Sequence, residues 1–361
     1  MALYNGLTNI ILINTFFIHL YMNYGHTFKL KIMDTTKNLL FTLNSSRAFG
    51  ENIAETIGLT LSEHEERDFS DGEHKIRSLV NVNNKNVFVI YCLYGEPKLT
   101  VNDKLCRLLF FVGSLKDAGT ARVTVIAPYL CYSRKDLKTK SRDPITTQYV
   151  ARIFETMGTD QFVTLDVHNL QAFQNSFRIP TMHLEAKEYF VSYFASLAKD
   201  KETVVLSPDT GGIKRAAAFA QALEKVTKTI IPVGIMQKTR SEGIVGGTEV
   251  IFGEVNGKFV IIIDDLISSG TTLVRAAKAC KEAGANKVYA AATHGVFESR
   301  ANEVLKDPAL DKIIITNSIP PIRLEKKILE QKIAIINVAP LIGECIQHIV
   351  INSSLGDLVE S

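Results

Sequence analysis

The chain has 361 residues, of which 46% are hydrophobic, 22% charged and 8% aromatic, with a formal net charge of +3; this is an ordinary globular composition, long enough for two cores. So small a charge excess gives no argument for a nucleic-acid partner. The five cysteines, Cys92, Cys106, Cys131, Cys280 and Cys345, are odd in number, far apart and never in a Cys-x-x-Cys pair, which argues against a disulfide framework or a zinc site and fits reduced thiols in a cytoplasmic chain.

Residues 1–34 differ from the rest. The run Leu7 to Met22 is rich in Ile, Leu, Phe and Tyr but is broken by Asn9, Asn14 and His19, and no Lys or Arg precedes Lys29. A secretory leader would begin with positive charge, and a membrane span needs about 20 uninterrupted apolar residues. The segment reads as an extension outside the fold, with Met33 as an alternative start; a membrane or targeting role is the competing reading.

From Leu39 onward, apolar runs alternate with amphipathic stretches. Strands are predicted at 87–91, 122–127, 162–165, 204–206, 230–234, 259–263, 288–292, 313–316 and 333–336, and helices at 104–118, 146–157, 186–198, 213–223, 273–283 and 341–349. Asp143 before Pro144 is expected to start a helix, and Gly119, Gly158 and Gly284 to end helices. This alternation predicts an α/β fold of parallel sheets with helices on both faces. The run Lys116-Asp-Ala-Gly-Thr-Ala-Arg-Val-Thr-Val is echoed by Lys281-Glu-Ala-Gly-Ala-Asn-Lys-Val-Tyr-Ala, so two similar halves are expected. The boundaries read as 35–180, with 338–361 returning to it, and 181–337. No low-complexity linker separates them, so the halves should touch and share one site.

Two segments carry chemistry. Phe259 to Ile263 is apolar without alternation, as in a parallel strand covered on both faces. It delivers Asp264 and Asp265, suited to sugar hydroxyls, and then Ser268, Ser269, Gly270, Thr271 and Thr272 at a predicted helix start, where N–H groups, hydroxyls and the helix dipole favour a phosphate. An ordinary strand-to-helix turn is the plainer alternative, but such turns are rarely this rich in hydroxyls. The second segment packs Arg134, Lys135, Lys138, Lys140 and Arg142 into nine positions. A solvated basic loop would explain that run in isolation; a polyphosphate explains why five cations converge on one strand end.

These segments, in this order, resemble the ribose-phosphate diphosphokinase family, also called phosphoribosyl diphosphate synthetases. The family's Phe-x-Asn/Asp-x-Glu appears as Phe69-Ser-Asp-Gly-Glu73, its Arg-Gln-Asp-Lys-Lys-Asp-Lys-Ser-Arg-x-Pro-Ile as Arg134 to Ile145, and its Asp-Leu-His as Asp166-Val-His168. Further along stand Ser207-Pro-Asp-Thr-Gly-Gly-Ile-Lys-Arg215, Lys238-Thr-Arg240 and Thr316-Asn-Ser-Ile-Pro320. The likeness runs from about Leu39 to Ile349. Lys135 replaces a usual glutamine, Leu137 and Thr139 a usual lysine and aspartate, and Ser269 and Thr271 depart from the usual Thr-Gly-Gly-Thr.

The resemblance implies two similar phosphoribosyltransferase-type domains, each a parallel sheet flanked by helices, the first on the ATP side and the second binding ribose 5-phosphate. It implies transfer of the diphosphoryl group of Mg-ATP to the anomeric hydroxyl of ribose 5-phosphate. It assigns Phe69, Asp71, Gly72, Glu73, Arg134, Lys135 and Asp136 to ATP, frequently across a subunit boundary, and His168 and Asp209 to the magnesium ion (Mg2+) that ATP carries. It assigns Asp264, Asp265, Ser268, Ser269, Gly270, Thr271, Thr272 and Arg240 to ribose 5-phosphate, and Lys238 with Arg240 to catalysis on a closing loop rich in glycine (Gly243, Gly246, Gly247). The expected partners are these two substrates and further copies of the chain in a dimer-based homo-oligomer, up to a hexamer, with no nucleic acid and no membrane. Two rivals stand beside this reading. A phosphoribosyltransferase leaves the second half and the Phe69 and Arg134 segments without a use; a catalytically silent synthetase-associated regulatory subunit would lose catalytic-loop residues, whereas Lys238, Arg240, His168 and Asp209 are all present.

Overall fold

The structure, a computed structural model, describes residues 34, 36–238 and 249–351; the N-terminal extension, Arg240 with the glycines that follow it, and the last residues of the chain lie outside the described residues. Fourteen strands are present among the described residues. The first sheet comprises β1 (Asn38–Thr42), β4 (Asn86–Ile90), β5 (Arg122–Ile126), β6 (Gln161–Leu165) and β7 (Thr181–Leu184), paired in that order and all parallel. Between β1 and β4 the chain makes a separate antiparallel hairpin, β2 (His64–Asp68) and β3 (His74–Ser78). The second sheet has the order β10-β9-β8-β11-β12-β13-β14, from β8 (Thr203–Ser207), β9 (Val233–Lys238), β10 (Glu249–Phe252), β11 (Phe259–Ile267), β12 (Lys287–Gly295), β13 (Lys312–Thr316) and β14 (Ile333–Ile336). Only β10, at its edge, runs antiparallel. The expected α/β architecture of two parallel sheets is present.

The helices follow the strands: α1 (Arg47–Thr56), α2 (Val101–Asp117), α3 (Thr146–Thr156), α4 (Leu170–Ser176), α5 (Lys187–Ala198), α6 (Ile213–Thr227), α7 (Thr271–Glu282), α8 (Ala301–Val304), α9 (Lys326–Lys332) and α10 (Ala339–Ile351). The α2 start shows the local chemistry: the Thr100 hydroxyl accepts the Asp103 N–H at 3.2 Å while the Asp103 carboxylate accepts the Thr100 N–H at 2.8 Å, satisfying orphan donors at both positions. Gly119, Gly158 and Gly284 end helices with φ of +82°, +94° and +89°, as expected. The last helix, α10, returns to pack on α1, so closely that a Cβ on Gly343 would lie 2.8 Å from Ile57 Cγ2.

Four expectations are corrected. Asp143 does not start a helix; its carboxylate accepts the Thr139 and Lys140 N–H groups at 3.1 and 2.9 Å, closing a turn, and α3 begins at Thr146. Strand β9 starts beyond Ile230 and Pro232 because proline has no N–H for the ladder, although the Pro232 carbonyl still accepts the Val205 N–H at 3.0 Å. Strand β11 continues to Ile267, so Asp264 and Asp265 lie within the strand rather than after it, and α7 opens at Thr271. The first sheet extends through β7 to Leu184, past the boundary read at 180.

The first core is built on rings. Phe162 lies 5.0 Å from Phe154, 4.8 Å from Phe177 and 6.3 Å from Phe173 between ring centroids, and is fully buried. Replacing Phe162 with alanine removes the shared ring and leaves a cavity, and should cost about 3–5 kcal/mol, read as a lower midpoint in urea unfolding followed by circular dichroism.

Candidate active site

In parallel sheets the carboxyl ends of the strands face the ligand crevice, and here such ends from both sheets line one cavity of about 870 Å³. The end of β6 contributes Asp166 and His168, the turn after β8 contributes Asp209 to Gly212, and β11 contributes Asp264 and Asp265. Asp136, His183, Lys214, Arg215 and Thr293 complete much of the wall.

Side-chain hydrogen bonds beside the cavity join the two halves. His168 Nδ1 lies 2.8 Å from Asp265 Oδ2. The Thr293 hydroxyl donates to Asp166 Oδ2 at 2.5 Å, and that carboxylate also accepts the Ala186 N–H at 3.0 Å; a positive φ of 39° at Asp166 makes this turn tight. Buried His294 has Nε2 at 2.9 Å from the Leu165 carbonyl and Nδ1 at 2.9 Å from the Ser318 hydroxyl. A carbonyl can only accept, so Nε2 carries the proton, and burial pushes this imidazole's pKa down toward the neutral form.

The adjacent carboxylates of β11 are driven apart electrostatically. Burial and then the neighbouring Asp265 push Asp264 up to about 8. For Asp265 burial also opposes ionisation, but the His168 hydrogen bond and the Arg215 guanidinium overcome it and hold this group at about 2. Arg215, from the first turn of α6, reaches both carboxylates, 3.5 Å from Asp264 Oδ1 and 3.4 Å from Asp265 Oδ1. The pair is thereby biased toward a proton-bearing Asp264 and an accepting Asp265, a division that suits the vicinal hydroxyls of a sugar. The same contact to Asp265 raises His168 above the ordinary imidazole value against its partial burial.

Beyond β11 the loop turns through Gly270 at φ +79°, where a Cβ would lie 2.6 Å from Leu305 Cδ2; only glycine fits. Helix α7 begins immediately after it. The Ser269 and Thr271 hydroxyls are 3.0 Å apart, and the Ser268 hydroxyl donates to Glu298.

The other expected residues are placed unequally. Asp136 lines the cavity and accepts the Asn169 amide at 2.7 Å. Asp209 Oδ1 accepts the Gly212 N–H at 3.0 Å, leaving its second oxygen for a ligand. Arg134, Lys135, Lys138, Lys140 and Arg142 are exposed, and none is in an ion pair with a described residue. Phe69, Asp71, Gly72 and Glu73 form the tip of the β2–β3 hairpin, where Phe69 N–H donates to the Glu73 carbonyl at 2.9 Å; none of them lines the cavity. Lys238 ends β9, but its side chain and Arg240 lie outside the described residues. Among the described residues no three His, Cys, Asp or Glu side chains form a metal-binding group. His168 and Asp209 both line the cavity; the open Asp209 oxygen is the donor type that a magnesium ion held mainly by phosphates and water prefers, and His168 would act through one of those waters or a phosphate. Sequence reasoning missed Thr293, His294 and Asn169, and gave Arg215 only as the last residue of the Ser207 to Arg215 motif; the cluster of hydroxyls in Thr316-Asn-Ser was the available signal for a buried polar network.

Residues 38–158 match the family model described as the N-terminal domain of ribose phosphate pyrophosphokinase, and residues 246–360 match the phosphoribosyl synthetase-associated domain. The ribose-phosphate pyrophosphokinase of Listeria ivanovii is 37% identical over 321 residues, covering 89% of this chain and 96% of the relative. The enzyme of the same name from Caldanaerobacter subterraneus subsp. tengcongensis is 39% identical over 310 residues, covering 86% and 94%. The crystal structure of phosphoribosylpyrophosphate synthetase from Mycobacterium smegmatis superposes with a TM-score of 0.79 at 28% identity, covering 88% of this chain and all of that one.

The His168–Asp265 contact predicts a titration. A folded pKa raised above the unfolded value contributes stability that is complete below the unfolded value and is lost as pH rises through the folded one; for depressed Asp265 the contribution is present above the ordinary carboxylate value and lost as pH falls toward about 2. NMR titration of the metal-free protein should show His168 above the ordinary imidazole value, and Asp265→Asn should bring it down. An unchanged His168 titration in that variant would break the electrostatic assignment.

Proposed function

The chain belongs to the ribose-phosphate pyrophosphokinase family, a transferase that makes phosphoribosyl diphosphate for nucleotide biosynthesis, and we propose that its cavity brings Mg-ATP and ribose 5-phosphate together for diphosphoryl transfer, with AMP as leaving group. The observation that carries this reading is the His168–Asp265 hydrogen bond, which ties a residue of the ATP half to a carboxylate of the sugar half at 2.8 Å. In-line transfer needs the two substrates held in one frame, and positioning supplies much of the acceleration.

In this reading Ser268, Ser269, Gly270, Thr271 and Thr272 hold the 5-phosphate at the start of α7, and Asp264 and Asp265 divide donation and acceptance toward the ribose hydroxyls. When bound, magnesium neutralises phosphate charge; His168 and Asp209 are the residues that would hold it. Arg134, Lys135 and Asp136 bind the triphosphate side. Lys238 and Arg240 stabilise the charge that builds on the transferring group, with Arg240 also touching the sugar phosphate. Phe69, Asp71, Gly72 and Glu73 are exposed at a hairpin tip away from the cavity lining, which supports recognition of the ATP base in a neighbouring copy of a homo-oligomer.

With β7 counted in the first sheet, the domains then read as 35–184 with 338–361 on the ATP side and 185–337 on the sugar side; the return of α10 onto α1 supports this division. A phosphoribosyltransferase has no use for the first sheet, and a silent subunit has no use for a complete set of Lys238, Arg240, His168 and Asp209. Every cysteine is unpaired, in keeping with a cytoplasmic location. Among the described residues no helix is long and apolar enough to cross a membrane.

Purified protein given ATP, ribose 5-phosphate and magnesium should form AMP one-for-one with phosphoribosyl diphosphate. Lys238→Ala should lower kcat by on the order of 100-fold or more. Base-dependent diphosphate release without AMP would favour the transferase, and an inactive chain that alters another synthetase would favour the regulatory subunit.

A further inference from the structure

The floor of the Ser268–Thr272 loop is the segment that leaves β12. Phe297 N–H donates to the Ile267 carbonyl at 3.0 Å and Glu298 N–H to the Ser268 carbonyl at 3.0 Å, so the two backbones run side by side and Glu298 is fixed against the loop. Its side chain accepts the Ser268 hydroxyl. An acid is out of character here, because a left-handed glycine, a helix start and clustered hydroxyls all favour an anion. Glu298 forms no ion pair among the described residues; the Arg323 guanidinium donates instead to the Val296 and Phe297 carbonyls.

A phosphate entering this loop meets two obstacles. The Ser268 proton is already directed to a carboxylate, and the Ser269 and Thr271 hydroxyls are bonded to each other. A phosphate dianion must take the Ser268 proton from Glu298 and then sit beside a like charge. Resting on the assignment of this loop to the 5-phosphate, we infer that Glu298 is a specificity-determining residue that weakens the loop's hold on a 5-phosphate by competing for Ser268 and repelling the anion. The 5-phosphate takes no part in bond making, so its binding contributes about equally to substrate and transition state. Tightening it lowers KM without raising kcat, and also slows departure of a product bearing the same group. Glu298 keeps that common handle loose.

The test uses the full chain. Glu298→Gln keeps the shape and a hydrogen-bond acceptor but removes the charge; Glu298→Ala removes both, and the exposed position makes misfolding of either variant a minor risk. Calorimetric titration with ribose 5-phosphate alone should show about 3- to 10-fold tighter binding in both variants, more at low salt than at high, with KM for ribose 5-phosphate falling in step and kcat not increased. A residue that only supported the loop would weaken binding when removed. Equal or weaker binding in both variants overturns the inference. Thr272→Val separates the two levels: if it weakens binding while Glu298→Gln changes nothing, only the role of Glu298 falls; if it leaves affinity untouched, the phosphate assignment falls and the inference with it.

Discussion

Two neighbouring carboxylates at the end of a buried strand are the constraint around which this molecule is arranged. Asp264 and Asp265 sit in β11 between β8 and β12, where burial penalises charge on both. Full ionisation of the pair would place like charges side by side in a poorly solvated site, and full neutralisation would discard the acceptor that a sugar needs. The structure resolves this with one proton-donating group from each half. Arg215 comes from the sugar half at the start of α6, and His168 from the ATP half at the end of β6. Without the first half Asp265 loses its nearest hydrogen-bond donor; without the second His168 loses the partner that favours its protonation. The site is electrostatically complete only where the halves meet.

That meeting is maintained in the cavity wall and behind it by groups assigned to no ligand. Asp166, Thr293, the Leu165 carbonyl, His294 and Ser318 form a polar seam in which the polar atoms have partners, Ser318 also bonding the Thr316 hydroxyl at 2.8 Å. Leaving such groups unpaired when buried costs about 1–3 kcal/mol each, so sliding one sheet past the other would break several bonds at once. A second tie lies further out, where Arg323 donates to the Val296 carbonyl at 2.9 Å and to the Gly95 carbonyl of the first half. Apolar packing fills each half; directional bonds fix the relation between them.

The sequence made legible whatever depends on local chemistry. The apolar run before Asp264, the hydroxyl-rich loop and the glycine helix ends all mapped onto real elements, because burial on both faces of a strand and φ > 0 each demand particular residue types. The β2–β3 hairpin was invisible to the same reading. Its strands are His-Glu-Glu-Arg-Asp and His-Lys-Ile-Arg-Ser, with no apolar alternation, since little of their stability comes from a hydrophobic face. The cross-half bonds were equally hidden. His168 and Asp265 lie 97 positions apart, and Asp166 and Thr293 127 apart, and no periodicity encodes a contact of that range. Motif order indicated that these residues belonged together, but only the fold shows which atoms meet.

The hairpin shows how a polar element that lends only Ile76 to the core is held. Glu66, though largely buried, accepts the Asn44 N–H at 2.6 Å and lies 2.9 Å from His64 Nε2. Burial resists its charge, but the His64 and Asn44 hydrogen bonds outweigh that and keep its pKa low. Two residues on, in the ladder pair next to the tip, Asp68 lies 3.0 Å from His74 Nδ1 and 2.5 Å from Arg107 of α2, so the hairpin is tied to the first half just behind its turn. The tip is treated differently: Phe69 stays exposed, with the Arg67 guanidinium 5.1 Å from its ring centroid. A cation over an aromatic face gives a modest stabilisation, on the order of 0.5–1 kcal/mol at an exposed site, enough to orient the ring without burying it. Polar ties along the hairpin and a lightly restrained aromatic tip are what a recognition element needs if its ligand lies beyond the chain's own cavity, and they explain why this stretch uses charge where the strands of the first sheet are largely apolar.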